Sequence, residues 1–505
     1  MTRAAATPSS SRDERVSAGI DGRRLADIDH PAPAHTFSSA IPTIVAANRD
    51  RRMWTLVLDD DPTGTQTVRT APVVLPHAPE AALAWAAQQD GGTAFVLTNT
   101  RAVDEESARR TIYDAVTRAG RLAAELGLRL RVVTRSDSTL RGHFRTELTA
   151  ARDAMADAGT PVDGIVFAPC FLEAGRFTAQ DTQWVRQGEH LVPAAHTEFA
   201  RDLTFGYHET DLRQWVRSRW PEPGADVGSL SLRTLRGRTG LADATTVLAQ
   251  LRRCDVVVAN AVRSSDLEVL MLAVIAAEQA GRRILIRSGP SMVRLCAGQT
   301  PPSPLTDAEV SALRHGRAGR GLVVAGSHTA LTNVQIAAAQ ALHRPALVEL
   351  DAAAALHDDD RAVHAEVDRC ADAAARGLAD RDVVLRTTRP VIHTGRSTPL
   401  LVSRAVAAAL SAVVTAVVRR RPPGYLVAKG GITSSDIASE ALGATKAVIT
   451  GQLFAGQVPV WSLQDGALPG LPYVVFPGNV GDENALATIM ARLRAGSAPA
   501  AVPRK

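Results

Sequence analysis

Apolar runs the length of a buried strand alternate with Ala-rich stretches of helical periodicity, and this alternation restricts the fold more than any other feature of the chain. Short continuous apolar runs are typical of strands buried on both faces of a parallel sheet. Helical patterns such as Glu105–Leu126 and Leu267–Ala280 separate several of these runs. The alternation therefore predicts a wound α/β fold. The runs in the first half are Thr55–Leu58, Ala94–Leu97, Arg131–Val133, Gly164–Ala168, Val256–Ala259 and Ile284–Ile286.

A proline-rich stretch without periodicity, Gln299–Leu305, interrupts the alternation, which then begins again. A chain of 505 residues has room for two or three domains with full cores. We therefore predict two wound α/β domains with largely parallel sheets and a cleft between them. The predicted units are a flexible N-terminal tail (1–50), a first domain (51–300), a linker (301–317), a second domain (318–496) and a flexible C-terminal tail (497–505). The apolar runs of the second half are Leu322–Ala325, Leu347–Leu350, Val383–Leu385, Tyr425–Val427, Ala447–Ile449, Val458–Trp461 and Tyr473–Phe476.

The composition argues against several classes of protein. Lys and Arg number 57 against 52 Asp and Glu, and both signs are mixed along the chain without a basic block that carries aromatic residues. We therefore expect no nucleic-acid partner. No apolar run reaches the roughly 18 residues that a membrane span needs, so we expect no membrane partner either. The four cysteines are scattered without a CxxC pair, which is typical of a cytoplasmic protein and argues against a zinc site.

Three consecutive carboxylates, Asp59, Asp60 and Asp61, follow the first apolar run directly and are followed by Pro62–Thr67. In isolation such a run would be a solvated acidic turn. Here it lies where open α/β sheets bind ligands, at the carboxyl end of a strand. A second polar cluster, Arg135–His143, also follows a strand-like run. Carboxylates, hydroxyls and guanidinium groups together suit a polyhydroxylated acid and the deprotonation of one of its hydroxyls.

Glycine-bearing loops follow three strand-like runs of the second half. They are Gly326-Ser327, the stretch Lys429–Asp436, and the stretch Phe476–Asn484. Glycine lets backbone approach a ligand closely, and free N–H groups at a helix start attract anions. Each loop taken alone could be an ordinary capped turn. Three of them in one domain favour a nucleotide site, with Lys429 as a possible point charge on a phosphate.

Several familiar catalytic motifs do not occur in the sequence. There is no G-x-x-x-x-G-K-[ST] loop, no HExxH, no GxSxG and no protein-kinase HRD/DFG set. A glycine-rich stretch at 316–321 precedes a strand-like run rather than following one, so we interpret it as a turn. These observations argue against P-loop enzymes, metalloproteases, α/β-hydrolases and protein kinases.

Five motifs, taken in order, resemble the four-carbon acid sugar kinase family, whose members include D-threonate, D-erythronate and 3-oxo-tetronate kinases. The motifs are Asp60-Asp61-Pro62-Thr63-Gly64, Asp137-Ser138-Thr139-Leu140-Arg141-Gly142, Gly326-Ser327, Gly430-Gly431-Ile432-Thr433 and Gly478-Asn479-Val480-Gly481. The resemblance covers roughly residues 54–495. It implies a sugar-acid-binding first domain and an ATP-binding second domain. It also implies ATP-dependent phosphorylation of a terminal hydroxyl of a four-carbon sugar acid, with Mg²⁺.

The resemblance assigns roles residue by residue. It implies catalytic acids at Asp60 and Asp61. It implies substrate-binding residues at Thr63, Gly64, Arg101, Asp137, Ser138, Thr139, Arg141, Gly142 and Arg176. It implies nucleotide-binding residues at Gly326, Ser327, Lys429, Gly430, Gly431, Ile432, Thr433, Gly478, Asn479 and Gly481. The chain departs from the family pattern where Arg135 replaces a lysine and Ile432 a glutamate, so the resemblance does not identify the metal ligands.

The chemistry of these residues suggests a mechanism. We expect Arg101 and Arg141 to pair with the substrate carboxylate, since a guanidinium fork matches that group. We expect Asp61 or Asp60 to accept the proton of the attacking hydroxyl. Two alternatives stay open: a NAD(P)-dependent dehydrogenase of sugar acids, which would need a G-x-G-x-x-G after the first strand, and a non-catalytic sugar-acid-binding protein. The motifs leave open which sugar acid is used, and a homodimer is one expectation for the assembly.

Overall fold

The computed structural model describes residues 23–30, 39–220, 222–314, 317–326, 329–357, 359–388, 399–478 and 480–495. The strands are β1 (Met53–Asp59), β2 (Pro72–Val74), β3 (Thr93–Leu97), β4 (Arg129–Arg135), β5 (Gly164–Ala168), β6 (Arg176–Ala179), β7 (Thr182–Gln187), β8 (His190–Pro193), β9 (Val227–Leu230), β10 (Asp255–Ala259), β11 (Ile284–Ser288), β12 (Gly321–Ala325), β13 (Ala346–Leu350), β14 (Val383–Thr387), β15 (Tyr425–Lys429), β16 (Lys446–Gln452), β17 (Pro459–Leu463) and β18 (Pro472–Phe476).

The helices connect these strands and cover both faces of the sheet that most of them form. They are α1 (Leu25–Ile28), α2 (Ile41–Asp50), α3 (Glu80–Ala87), α4 (Glu105–Glu125), α5 (Phe144–Asp157), α6 (Leu212–Arg217), α7 (Leu232–Leu235), α8 (Gly240–Ala249), α9 (Ser264–Gln279), α10 (Pro290–Cys296), α11 (Asp307–Leu313), α12 (Ala330–His343), α13 (Asp360–Gly377), α14 (Pro399–Arg420), α15 (Gly431–Asp436) and α16 (Ala485–Ala495). The two-domain α/β architecture is confirmed.

The helices form where the sequence supplies both a cap and an apolar face. In α4, Asp104 accepts a hydrogen bond from the backbone N–H of Ser107, which satisfies one of the free donors of the first turn. The buried residues Ile112, Val116 and Ala119 recur at helical spacing. Full burial of an aliphatic side chain such as Ile112 contributes about 1.5–3 kcal/mol, so this face fixes α4 against the sheet.

One continuous sheet of fifteen strands runs through both halves of the molecule, in the order β13-β14-β12-β15-β18-β17-β16-β2-β3-β1-β4-β11-β5-β10-β9. The eight strands from β2 to β9 pair in parallel, and six of them coincide with the unbroken apolar runs that predict parallel strands. The halves join where β2 and β16 pair antiparallel, with Val74 opposite Lys446. The short strands β2 and β9 are additions that the apolar runs did not predict.

The pairings β2–β16, β16–β17 and β17–β18 are all antiparallel, and because their number is odd the parallel strands of the two halves run in opposite directions. In a flat sheet, the loops after β1 and β15 would therefore lie at opposite edges. Six steps in the strand order separate β1 from β15, and a twist of roughly 20–25° per step rotates them by roughly 120–150°. The twist turns the carboxyl ends of both strands toward the same side of the molecule.

A separate three-stranded antiparallel sheet, β6-β7-β8, lies in the first half. Gly175 precedes it in the left-handed region at φ 69°, and a Cβ there would approach the Arg186 side chain to 2.9 Å. Gly175 thus allows the close turn that leads into Arg176, the first residue of β6.

Two of the predicted boundaries differ from the structure. Within the predicted tail 1–50, residues Ile41–Asp50 form α2, and Ile44 is fully buried in the main core. Within the predicted linker 301–317, α11 forms because Thr306 and Glu309 make a reciprocal capping box. The prediction of a tail and a linker rests on composition, and composition carries no signal for a single buried isoleucine or for a helix cap. Among the described helices, none is both long and apolar enough to cross a membrane.

Candidate active site

The acidic loop after β1 begins with Asp59, which is completely buried. Its Oδ1 lies 3.0 Å from Nη1 of Arg135. Burial outweighs this guanidinium and raises the pKa of Asp59 to about 7. Gly64 packs directly on the carboxylate, where a Cβ would lie 2.1 Å from Oδ2. Asp59 therefore supports the loop from beneath and does not face solvent.

Asp60 is also buried, and two arginines hold it. Arg101 approaches it as a fork, with Nη2–Oδ1 at 2.7 Å and Nε–Oδ2 at 3.2 Å. Arg135 Nη1 lies 3.3 Å from Oδ1. Burial raises the pKa of Asp60 against the opposing charges of Arg101 and Arg135. Its oxygens are occupied by the protein itself, so Asp60 orients Arg101.

Asp61 is the member of the acidic loop that reaches the open site. Its Oδ1 accepts hydrogen bonds from the Thr63 backbone N–H at 2.8 Å and from the Thr63 hydroxyl at 2.6 Å. Its Oδ2 lies 3.4 Å from Arg101 Nη1. Burial opposes ionisation, but the charges of Arg101 and Arg135 and the Thr63 hydrogen bonds keep the pKa of Asp61 below its usual value. Asp61 is therefore a carboxylate at neutral pH.

Two further arginines, Arg141 and Arg176, stand opposite the acidic loop. Arg141 Nε binds Asp137 Oδ2 at 2.7 Å, and its guanidinium stacks on the Phe199 ring at 5.1 Å. Arg176 stacks on the same ring at 5.7 Å and donates from Nη1 to the Ser138 hydroxyl at 3.1 Å.

Arg176 differs from its neighbours in its electrostatics. Among the described residues, no carboxylate lies within ion-pair distance of it, and its Nε is buried without an acceptor. Burial lowers the pKa of Arg176, and the neighbouring arginines add to this against the attraction of Asp137. A bound anion would relieve both effects.

A cavity of about 600 Å³ collects these groups, and we refer to it as the central cavity. Residues of both halves line it. From the first half they are Asp61, Thr63, Gln66, Arg101, Arg135, Asp137, Ser138, Arg141, Phe171, Glu173, Ala174, Gly175, Arg176, Arg186 and Gly188. From the second half they are Gly431, Gln457, Pro477, Gly478, Val480 and Gly481.

Glycines of the second half form the wall that faces Asp61. Gly430 directly follows β15 and has a φ of 120°, a conformation that other residues rarely adopt. A Cβ on Gly431 would lie 2.8 Å from both carboxylate oxygens of Asp61. A Cβ on Gly326 would meet the Thr433 hydroxyl at 2.3 Å. The loop backbone therefore lies directly against neighbouring groups, including the acidic loop.

Lys429 lies beneath this wall rather than at its surface. Its Nζ donates to the Pro477 carbonyl at 3.2 Å and sits 3.6 Å from the centre of the Phe476 ring. Burial lowers its pKa to about 7. The point charge expected from the sequence is therefore a fully covered amine that ties β15 to the loop after β18.

The structure brings many of the predicted site residues to the central cavity. Those that line it are Asp61, Thr63, Arg101, Asp137, Ser138, Arg141, Arg176, Gly431, Gly478 and Gly481. Those that lie behind or beside it are Asp60, Gly64, Thr139, Gly142, Gly326, Lys429, Gly430, Ile432 and Thr433. Ser327 and Asn479 lie outside the described residues.

Two contributors to the site were not predicted from the sequence. Phe199 supplies the surface on which Arg141 and Arg176 stack, and it comes from a segment without strand or helix periodicity. Glu147 supports the floor by binding the Thr100 hydroxyl and the Arg287 guanidinium. Only the position of Glu147 in the first turn of α5, directly after the second polar cluster, could have indicated it.

The described residues contain no group of three or more His, Cys, Asp or Glu side chains arranged to hold a metal ion. Asp61 is the carboxylate of the acidic loop that faces the cavity, since Asp59 and Asp60 are covered. A single carboxylate is what Mg²⁺ commonly takes from a protein when nucleotide phosphates and water supply the remaining ligands. Asp61 therefore fits as one protein ligand of a Mg²⁺ ion that a nucleotide would carry.

Comparison with known proteins matches the two halves of the chain to two different domain models. Residues 55–295 match the family model for a sugar-binding N-terminal domain, and residues 322–486 match that for a nucleotide-binding C-terminal domain. D-erythronate kinase of Heliobacterium modesticaldum is 28% identical over 262 residues, which are 51% of this chain and 52% of that protein. The chain thus matches about half the length of this curated relative.

Two crystal structures share the fold. The Haemophilus influenzae protein HI1011 superposes with a TM-score of 0.59 at 16% identity, covering 88% of this chain and 100% of its own. A Salmonella typhimurium LT2 protein described as a tRNA synthase gives a TM-score of 0.62 at 19% identity, covering 87% of this chain and 98% of its own. Both family models match in order across the two halves, so the chain belongs to the four-carbon acid sugar kinase family.

Proposed function

We propose that this protein is an ATP-dependent kinase that phosphorylates a terminal hydroxyl of a four-carbon sugar acid of the threonate, erythronate or oxo-tetronate type. The observation that carries the proposal is the contact between Asp61 and Gly431 across the central cavity. It sets an ionised carboxylate of the sugar-binding half directly against the glycine loop of the nucleotide-binding half. A phosphoryl group and its acceptor hydroxyl would meet at this point.

Arg176 and Arg141 are proposed to bind the substrate carboxylate. Arg176 has no carboxylate partner among the described residues, and its Nε lacks an acceptor. A carboxylate can take two hydrogen bonds from such a fork, which makes the pairing both strong and directional. This differs from the sequence-based expectation for Arg101, whose guanidinium is already engaged by Asp60 and Asp61. Arg101 is proposed instead to hold the base in position.

The glycine loops are proposed to hold the phosphates of ATP. Gly431, Gly478 and Gly481 line the cavity and present backbone without side chains, so phosphate oxygens can approach their N–H groups. Gly326, Gly430 and Thr433 lie directly behind and shape this wall. Asp61 and the phosphate oxygens would hold the Mg²⁺, which would neutralise charge on the phosphates.

The protein would contribute to phosphoryl transfer mainly by positioning the reacting groups. The terminal hydroxyl oxygen attacks the γ-phosphorus, a new O–P bond forms, and the bond from that phosphorus to the bridging oxygen of ADP breaks. The hydroxyl proton passes to a carboxylate oxygen of Asp61. Asp61 is a weak base, but such transition states place little demand on deprotonation, and alignment supplies most of the rate.

Release of ADP with Mg-ATP across a panel of four- to six-carbon sugar acids tests the proposal. Turnover on one four-carbon acid is the expected result and would identify the substrate. ATP binding without turnover on any acid would exclude the four-carbon substrates offered. Sugar-acid binding with neither ATP binding nor turnover would favour the non-catalytic binding protein. Reduction of NAD(P)⁺ by the same acids would favour the dehydrogenase.

A further inference from the structure

A second and larger cavity lies on one face of the sheet, where the two halves face each other. It has a volume of about 940 Å³ and runs between α4 and α14. We refer to it as the α4–α14 groove. Strands β2 and β3 form its floor through residues such as Val74 and Val96, and Leu83 of α3 closes one side. It is distinct from the central cavity because none of the residues that line one lines the other.

The groove is a slot with an apolar floor, and the charged side chains of Asp114, Arg118 and Arg404 also line it. On α14, Ala408 and Ala412 are exposed and one helical turn apart, so a row of methyl groups faces the opening. Across from them, α4 presents the short side chains of Ser107 and Thr111. Because the side chains at these positions are short, they leave the space between the two helices unfilled above the apolar floor. A concave, largely apolar space of this kind is suited to a flat ring.

The end of the groove near α15 carries hydrogen-bond acceptors, one of which is buried without a donor. Asn99 donates from Nδ2 to the Ser435 hydroxyl at 2.6 Å, whereas its Oδ1 is buried without a donor among the described residues. Asp436, which is half-buried, also lines this end, with Glu440 one turn beyond it. Burial and the neighbouring Glu440 raise the pKa of Asp436 to about 6. Acceptors placed in this way suit a ligand that brings hydroxyl or amino donors.

The same short segment connects the groove with the central cavity. Gly431 lines the central cavity, whereas Ile432 and Ser435 line the groove. On the facing half, Arg101 lines the central cavity and Asn99 lines the groove. One ligand passing over Gly431 and Ile432 could therefore occupy both spaces, with an anionic end near Asp61 and an apolar ring in the slot.

We infer that the α4–α14 groove receives the nucleoside part of the phosphoryl donor, with the purine ring between the alanine row of α14 and the sheet and the ribose hydroxyls near Asn99 and Asp436. This inference rests on the proposed kinase function. It extends that function from the phosphate loops to the part of the donor that gives nucleotide specificity.

Filling the slot tests the inference. Ala408→Trp and Ala412→Trp place a ring into the groove from exposed helix positions, so folding should survive. Ala365→Trp makes the same change at an exposed position of α13 outside the groove and is the matched control. Calorimetry on the full chain would use three probes: MgADP, inorganic pyrophosphate, and the sugar acid that is turned over fastest.

The expected result is MgADP binding weakened by about tenfold or more in both groove variants, with pyrophosphate, the sugar acid and the control variant unaffected. Unchanged MgADP affinity in both groove variants would overturn the inference and leave the kinase proposal standing. The same conclusion follows if turnover falls while MgADP affinity is unchanged, since the groove would then serve closure of the halves. Absence of both MgADP binding and turnover in the unmodified protein would defeat both proposals.

Discussion

The Asp61 carboxylate and the Cα of Gly431 lie so close that a single methyl group on Gly431 would come within 2.8 Å of both carboxylate oxygens. Residues from opposite ends of the chain thus meet at the proposed point of phosphoryl transfer. Asp61 follows β1 and Gly431 follows β15, and these two strands run in opposite directions in the continuous sheet. The twist of the sheet between them turns the carboxyl ends of both strands toward the same side, which allows the contact.

Gly431→Ala should therefore impair turnover more than stability. The methyl must displace Asp61 or the loop, and a small misplacement of a reacting group lowers the rate strongly. We expect kcat to fall by about tenfold or more, since a displacement near 1 Å costs about a hundredfold. Gly120→Ala is the control, because its methyl would lie 3.6 Å from Ala158 Cβ in ordinary contact and alanine favours helix α4. Equal kcat in the two variants would contradict the role given to this contact.

Asp61→Asn should reduce kcat by about a hundred- to ten-thousandfold, the usual range for loss of a general base. The amide keeps the size of the side chain and can still accept a hydrogen bond from Thr63, so binding of the sugar acid should change little. Steady-state ADP release together with calorimetry separates the two effects. Near-normal kcat with unchanged substrate affinity would show that Asp61 is not the base.

Arg176→Met should raise KM for the sugar acid by about ten- to a hundredfold, because a hydrogen-bonded charge pair is worth about 1.5–3 kcal/mol. The preference for the acid over the corresponding uncharged polyol should shrink by a similar factor. Arg213→Met is the control, since Arg213 pairs with Asp181 and Asp211 away from the central cavity. A variant that keeps its full preference for the acid would place carboxylate recognition elsewhere.

Asp59→Asn should change how stability depends on pH. An unfolded Asp titrates near its ordinary value of 3.8 and Asp59 in the fold at about 7, so the folded chain holds the extra proton between these values. The free energy of unfolding therefore falls as the pH rises through this window, because the unfolded chain has already lost the proton that Asp59 keeps in the fold. The variant lacks this loss, so its thermal midpoint relative to the unmodified protein should increase as the pH rises from about 4 to about 7, the window in which the folded and unfolded chains differ in the charge of Asp59. A difference that stays constant with pH would show that Asp59 is already ionised at the lower pH.

The strands of the fold were predictable from the sequence because their apolar runs are long enough to be read locally. Thr55–Leu58 and Tyr425–Val427, for example, lie within the observed β1 and β15. The joining of both halves into one sheet was not predictable, since β2 is a three-residue strand that begins with proline. Its pairing with β16 depends on residues far apart in the chain.

The positions of the site residues were predictable more often than their roles. The motifs bring Asp61, Arg101 and Arg176 to one cavity, as expected from their places at strand ends. Which arginine is already paired depends on three-dimensional distances, so the sequence could not separate Arg101 from Arg176. The burial of Lys429 could not be predicted from the sequence either, because it depends on packing against the loop after β18.

The seam between β2 and β16 also has a consequence for the order in which the chain is made. All strands of the first half have been made once β11 has been made, but the edge strand β2 has no partner on its outer side until β16, which begins at Lys446, has also been made. At ~5–20 residues per second, translation takes roughly 8–30 s to cover that distance. An open sheet edge invites pairing with other chains, and a short strand that starts with Pro72 offers little to pair with. The weakness of β2 as a strand would thus protect the nascent protein until its own partner arrives.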